Sequence, residues 1–298
     1  MKIWRAVLFV FLIAACLTVS AGCGDDDDNG GEVRVAASIY PLADVVRQIG
    51  GRQVQVACLL DPGTSPHDFR ATPEHVGRMA GADLLVTAGT GVDEWALQGA
   101  SRSNAKVLKL ADVAESHAAT AGDDDETHQH DKHLWLDLDV MQEFARRVGR
   151  HLAELDPDNA ELYRERAENY AGRLAELDAE YRRTISTFEK RHFVTFHDAF
   201  GRLASRYGLT HYSLHDADVM DFSPERLEKL EQFVRDHQVK AMFVEPQYQD
   251  SRLRAMAADM NIELGTLDPL GNPRMEAYET YIKTMETNLR SLEEALKE

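Results

Sequence analysis

The sequence predicts an α/β protein with two lobes, each a mainly parallel sheet flanked by helices. One long rigid connector helix joins them, and a metal site lies in the cleft between. Three observations carry this prediction. Short apolar runs alternate with helical patterns through Glu32–Leu110, and a second such region follows Arg191; alternation of this kind is βαβ patterning and argues parallel strands. Between the two lies Asn159–Arg191, with no proline and a single glycine, Gly172. Finally, several histidines stand beside strand-to-loop transitions.

The chain opens on a targeting segment. Lys2 and Arg5 precede the apolar stretch Ala6–Val19, which is shorter than the roughly 20 residues a spanning helix needs. Ser20-Ala21-Gly22-Cys23 then resembles the lipobox of bacterial lipoproteins, with Ser20 where leucine is usual. That implies a signal peptide over residues 1–22 and a lipid on Cys23; the alternative is an ordinary secretory signal. Either places the mature chain outside the cytoplasm, at the membrane surface or in the periplasm. Residues 24–31, GDDDDNGG, cannot bury apolar area and complete a flexible tether over 23–31.

Loss of Lys2 and Arg5 moves the formal charge from −18 to −20. Such acidity argues against nucleic acid and against a polybasic membrane surface. Cys16 leaves with the signal and Cys23 takes the lipid, so only Cys58 remains and no internal disulfide forms. The remaining length, about 265 residues, suits two domains of ordinary size in a monomer. The first lobe is expected over 32–155, the connector over 156–190 and the second lobe over 191–298.

In chain order, VRVAAS, a helix near Leu42–Ile49, VQVACLL, DLLVTAG and KVLKL build the first sheet. HFVTF, HYSL, KAMFVE and ELGTLD build the second. In the connector, Tyr163, Ala167, Tyr170, Leu174, Leu177, Tyr181, Ile185 and Phe188 recur in steps of three or four. This is an amphipathic helix with Asp156-Pro157-Asp158 as its start signal. About 30 residues at roughly 1.5 Å each span about 45 Å, enough to run along both lobes. A coiled-coil partner is the competing explanation of the stripe. Ser116–Lys132, SHAATAGDDDETHQHDK, has the composition of a mobile acidic loop.

Of twelve histidines, His75, His151 and His237 sit among charged residues and read as solvated faces. His192, His211 and His215 stay ambiguous. His67 stands in the loop DPGTSPHDF after an apolar run, His197 ends FVTFH, and His133 opens HLWLDL. Asp268 closes ELGTLD before Pro269-Leu270-Gly271. Three of these four lie just past the carboxyl end of a predicted strand, where open α/β sheets gather ligands. Three neutral imidazoles and a carboxylate form a four-coordinate set suited to Zn²⁺. Their separation, roughly 65 to 70 residues, matches no local zinc motif, and a loop histidine taken singly is more commonly a surface residue. Gly89 and Gly91 are not a phosphate loop, since no Lys-Ser/Thr follows.

The stretches ASIYPLADVV, DPGTSPHDFRATP, ADLLVTAGTGVDEW, HLWLDL, FHDAFGRLASRYGL, FVEPQ and LDPLG decide more. Together and in this order they resemble the metal-binding lipoproteins of bacterial ABC importers for zinc and manganese, over nearly all of the mature chain. The resemblance implies metal ligands at His67, His133, His197 and Asp268, and an ABC permease and ATPase as partners. Histidine rather than glutamate at position 197 favours zinc, with Mn²⁺ or Fe²⁺ as the alternative cargo. Glu245, in FVEPQ, is expected to orient a ligand rather than bind metal, and Trp95 to pack in the cleft. Leu138 replaces a proline common in the family, which implies a looser helix start. His117, His128 and His130, in the acidic loop, are expected to collect metal without forming the transported site. No enzymatic activity is expected, because four protein ligands close the shell that catalytic zinc keeps open. A zinc hydrolase with Glu245 as base and a surface adhesin are the alternative classes.

Overall fold

Both expected sheets form, each of four parallel strands. The computed structural model describes residues 32–100, 103–121, 132–215, 223–246 and 251–297. Its first half runs β1 (Val33–Ala37), α1 (Tyr40–Gly50), β2 (Val54–Cys58), α2 (Pro73–Ala80), β3 (Leu84–Thr87), α3 (Glu94–Ala100), β4 (Lys106–Lys109), α4 (Leu110–Ala121) and α5 (Leu138–Leu155). Helix α6 (Ala160–Ser186) follows. The second half is β5 (His192–His197), α7 (Gly201–Arg206), β6 (Thr210–His215), α8 (Pro224–Asp236), β7 (Ala241–Val244), α9 (Ser251–Asp259), β8 (Glu263–Thr266) and α10 (Tyr281–Leu296). The signal segment, Cys23, the tether, His128 and His130 lie outside the described residues.

Strand order is β2-β1-β3-β4 in the first sheet and β6-β5-β7-β8 in the second. Each sheet is covered on both faces, which is why its inner strands, such as Leu84–Thr87 and Ala241–Val244, are buried throughout. Val33, Val35 and Ala37 face one layer, while Ala36 and Leu85 join Leu59 and Met79 in another. In the second sheet Phe193 and Phe243 face α6, and Val194, Phe196, Met242 and Val244 face α8 and α9.

Helix α6 is shorter than the expected connector, 27 residues or about 40 Å. Pro157–Asn159 forms a separate 3-10 turn before it, and Phe188 lies beyond its end, though still buried. All eight stripe positions are buried, and they share one apolar core with the inner faces of both sheets. The stripe is therefore covered within the chain, which answers the coiled-coil alternative. Complete burial of a leucine such as Leu174 is worth roughly 1.5–3 kcal/mol. Helices α5 and α6 cross closely at Gly149, where a Cβ would meet Ala167 Cβ at 2.5 Å and the Tyr163 carbonyl at 3.0 Å.

Helix α10 carries the chain back from the second sheet to the first. Asp44 on α1 accepts from the Tyr281 amide at 2.8 Å, and Tyr40 donates to the Glu279 carbonyl. On the other side of α10, Tyr181 of α6 donates to the Met285 carbonyl at 2.5 Å.

Two local expectations are corrected. Ser116–Ala121 is not loop; it is the last part of α4. Tertiary ties hold it to α5: His117 Nε2 lies 3.0 Å from Asp139 Oδ2, and Arg147 donates to Ser116 Oγ at 3.2 Å. The start of α5 is not loose either. Asp137 caps it, accepting from the Asp139 and Val140 amides, and Leu138 is buried in proline's place.

Candidate metal centre

His197 is the last residue of β5, and Glu245 directly follows β7, the neighbouring strand. Continuing the register Thr195↔Phe243 by two residues brings them opposite each other. His197 Nδ1 lies 2.5 Å from Glu245 Oε1. An ionised carboxylate only accepts, so Nδ1 carries the proton and Nε2 presents its lone pair. Nε2 is buried and makes no hydrogen bond, so it is suited to a cation.

His133 precedes the 3-10 turn Leu134–Leu136 and is buried. His67 lies in the loop after β2, nine residues past the strand. Among the described residues, His67, His133 and His197 form a group whose ligating atoms lie within 4.8 Å of one another. Their ring centroids are 5.0 to 5.5 Å apart, each pair tilted or edge-on. The cavity they border is about 10 Å³, lined also by Ser65, Trp135, Glu245 and Pro269. That is room for a body no larger than one water.

Asp268 is buried two residues past β8 but does not join the histidine group. Its Oδ1 accepts from the Leu270 and Gly271 amides at 2.8 and 2.9 Å. This turn requires Gly271, with φ +75° and a Cβ position 2.6 Å from Thr284 Oγ1. Burial pushes the Asp268 carboxyl up to about 6; the turn amides pull it down and the Glu245 charge raises it. Its neighbours Pro269 and Leu270 line the cavity.

Trp95 does not line the cavity. Its ring lies 4.5 Å from that of Phe69, tilted by 57°, in the satellite core with Met79 and Ala96, and so supports the loop that carries His67. The tryptophan at the centre is Trp135, which sequence reasoning passed over although it stands two residues after His133. Its ring lies 5.2 Å from the His133 ring, and Nε1 donates to the Pro269 carbonyl at 2.6 Å. Tyr281 donates to the Trp135 carbonyl at 2.5 Å. The remaining described histidines lie outside the group. His75 caps α2, His211 bonds Thr195 Oγ1 at 2.8 Å, and His192 stacks on His237 at 4.2 Å.

Two parallel sheets backed by one long helix, with histidines from both halves at one small cavity, define a two-lobed solute-binding protein. Over residues 35–295 the chain matches the family described as "ZnuA: Zinc-uptake complex component A periplasmic", and it belongs to that family. It is 28% identical to the high-affinity zinc uptake system protein ZnuA of Bacillus subtilis (strain 168), covering 96% of this chain and 97% of that protein. It is 24% identical to the zinc-binding lipoprotein AdcA of Streptococcus pneumoniae (strain ATCC BAA-255 / R6), of whose length it spans 60%. The periplasmic zinc binding protein TroA of Treponema pallidum shares the fold, with a TM-score of 0.80 at 24% identity, over 90% of this chain and 100% of that one.

Proposed function

We propose that the protein captures one Zn²⁺ ion outside the cytoplasm and delivers it to an ABC importer. The observation that carries this reading is the convergence of His67, His133 and His197 on an ion-sized cavity. Imidazole nitrogen suits zinc, whereas manganese prefers carboxylate and carbonyl oxygen. Asp268, whose neighbours Pro269 and Leu270 line the cavity, is the fourth ligand in this reading. Glu245 holds His197 in the tautomer that offers Nε2.

The cargo is carried and not transformed. A hydrolytic zinc centre needs space for water and substrate together, and a cavity of about 10 Å³ supports carriage. Cys23 bears a lipid that keeps the protein at the membrane surface; among the described residues no helix is long and apolar enough to cross a membrane. The partners are a permease and an ATPase. His128 and His130 collect zinc without forming the transported site, a role that His117, tied to Asp139, serves less well.

Zinc titration of residues 23–298, with a competing chelator, tests the reading. One tight site is expected, lost in His67→Ala, His133→Ala and His197→Ala, and retained in the double variant His128→Ala/His130→Ala. Equal affinity for Mn²⁺ and Zn²⁺, or tight binding that survives all three ligand substitutions, would refute it.

A further inference from the structure

We infer that Arg202, assisted by Arg206, sets the distance between the histidines of the two lobes and is a positioning residue for the metal centre. The inference rests on the zinc-capture reading above. His133 leads through one 3-10 turn to Asp137, four residues on. His197 ends β5, and Arg202 follows it by five residues on α7.

Asp137 divides its two oxygens between two tasks. Oδ1 accepts from the Asp139 and Val140 amides at the start of α5. Oδ2 accepts from Arg202 Nε at 2.9 Å. Arg206 approaches the same carboxylate at 3.3 Å and Asp139 at 3.7 Å. It is held from behind by Asp178 on α6, which accepts from Arg206 Nε at 3.0 Å and from the Tyr207 hydroxyl at 2.8 Å. The side chains of Asp137, Arg202 and Arg206 are only 7%, 14% and 17% exposed, so their attraction is weakly screened compared with a surface pair.

One carboxylate thus fixes the helix that follows His133 and grips the helix that follows His197. If the lobes separate, either this grip breaks, leaving a nearly buried carboxylate without a charged partner, or the turn bearing His133 moves with α7. Both routes resist any change in the His133–His197 spacing. Of the two arginines on α7 that approach Asp137, Arg202 makes the closer contact and lies within two turns of the ligand itself.

The test compares Arg202→Gln and Arg202→Lys with Tyr163→Phe in the full mature chain. Tyr163→Phe removes a bond to Asp156 at the far end of α6 and controls for loss of stability alone. In metal-free protein, amide exchange over residues 133–140 should rise in Arg202→Gln, less in Arg202→Lys, and stay unchanged in the control. Zn²⁺ release to a chelator should quicken by about tenfold or more in Arg202→Gln, the scale of losses around metal ligands, with Arg202→Lys in between. Exchange and release that stay within twofold of the parent, or that move equally in Tyr163→Phe, overturn the inference. If Arg202→Gln does not fold, Arg202→Lys decides. If even the parent holds no zinc, the capture reading fails, while the metal-free exchange still judges the clamp.

Discussion

His197 and Glu245, at the ends of neighbouring strands, are joined Nδ1 to Oε1 at 2.5 Å. The bond fixes the ring's orientation and its tautomer, and partners of this kind typically matter about 10–100-fold in metal affinity. Glu245→Ala should therefore weaken zinc binding by roughly one to two orders of magnitude. Glu245→Gln, whose amide oxygen still accepts from Nδ1, should fall between. Chelator competition measures both, and an unchanged Glu245→Ala would remove this residue from the centre.

Acid should release the metal. Burial raises the Asp268 carboxyl to about 6, so it is charged above that pH and neutral below it. Bound imidazoles must also be neutral, and an ordinary imidazole titrates at about 6.5. Zinc affinity should fall steeply between pH 7.5 and 5, with protons released on binding near pH 6. For the metal-free fold the sign is opposite. A raised carboxyl contributes stability that is fully present below the unfolded value, about 3.9, and is lost as pH rises through about 6. Asp268→Asn should flatten the stability dependence, read by thermal melts, and leave only the histidine part of the affinity dependence, read by calorimetry; a stability slope that survives would assign it elsewhere.

Trp135→Phe keeps most of the ring but deletes the bond to the Pro269 carbonyl. A buried acceptor left unpaired costs about 1–3 kcal/mol. The melting temperature should drop, and zinc affinity with it, because Pro269 adjoins Asp268. Trp95→Phe, whose ring supports the His67 loop without touching the cavity, should affect binding less. The reverse order would mean that the tryptophans have been assigned the wrong roles.

Gly149→Val tests the α5–α6 crossing. Its Cβ would meet Ala167 Cβ at 2.5 Å, closer than real side chains come, and the Tyr163 carbonyl at a tight 3.0 Å, and overpacking of this kind costs roughly 1–3 kcal/mol. Denaturant midpoints should fall while zinc stoichiometry stays at one. A neutral substitution would show that the two helices separate easily.

The inner strands β1, β3, β5 and β7 were legible because they are buried along nearly their whole length and so appear as apolar runs between turns; the edge strands β2, β4 and β8 are partly exposed and carry polar residues. The α6 stripe was legible because every member of it is buried. His197 could be picked out from its position at a strand end, and His67 and His133 from the motifs around them, and the fold brings the three together. The end of α4 was not legible, since Ser116–Ala121 is neutral in composition and its helicity is secured by Asp139 and Arg147, far away in sequence. Nor could sequence choose between Trp95 and Trp135, which both follow site-like motifs but point into different cores. Asp268 shows a subtler limit. Its motif marks a carboxylate at a turn, but only coordinates reveal that one oxygen is already engaged by that turn.

The shared core along α6 bears on how the molecule comes apart. The inner faces of both sheets, α6 and α10 belong to one apolar cluster, so they should melt as one cooperative block in spite of the two-lobed outline. The layer of α8 and α9 against the outer face of the second sheet is a separate cluster. It can peel away as its own unfolding unit, exchanging its amides at a lower free energy than the rest. Heating should thus expose the outer side of one lobe first, while the elements packed along α6 hold together until last.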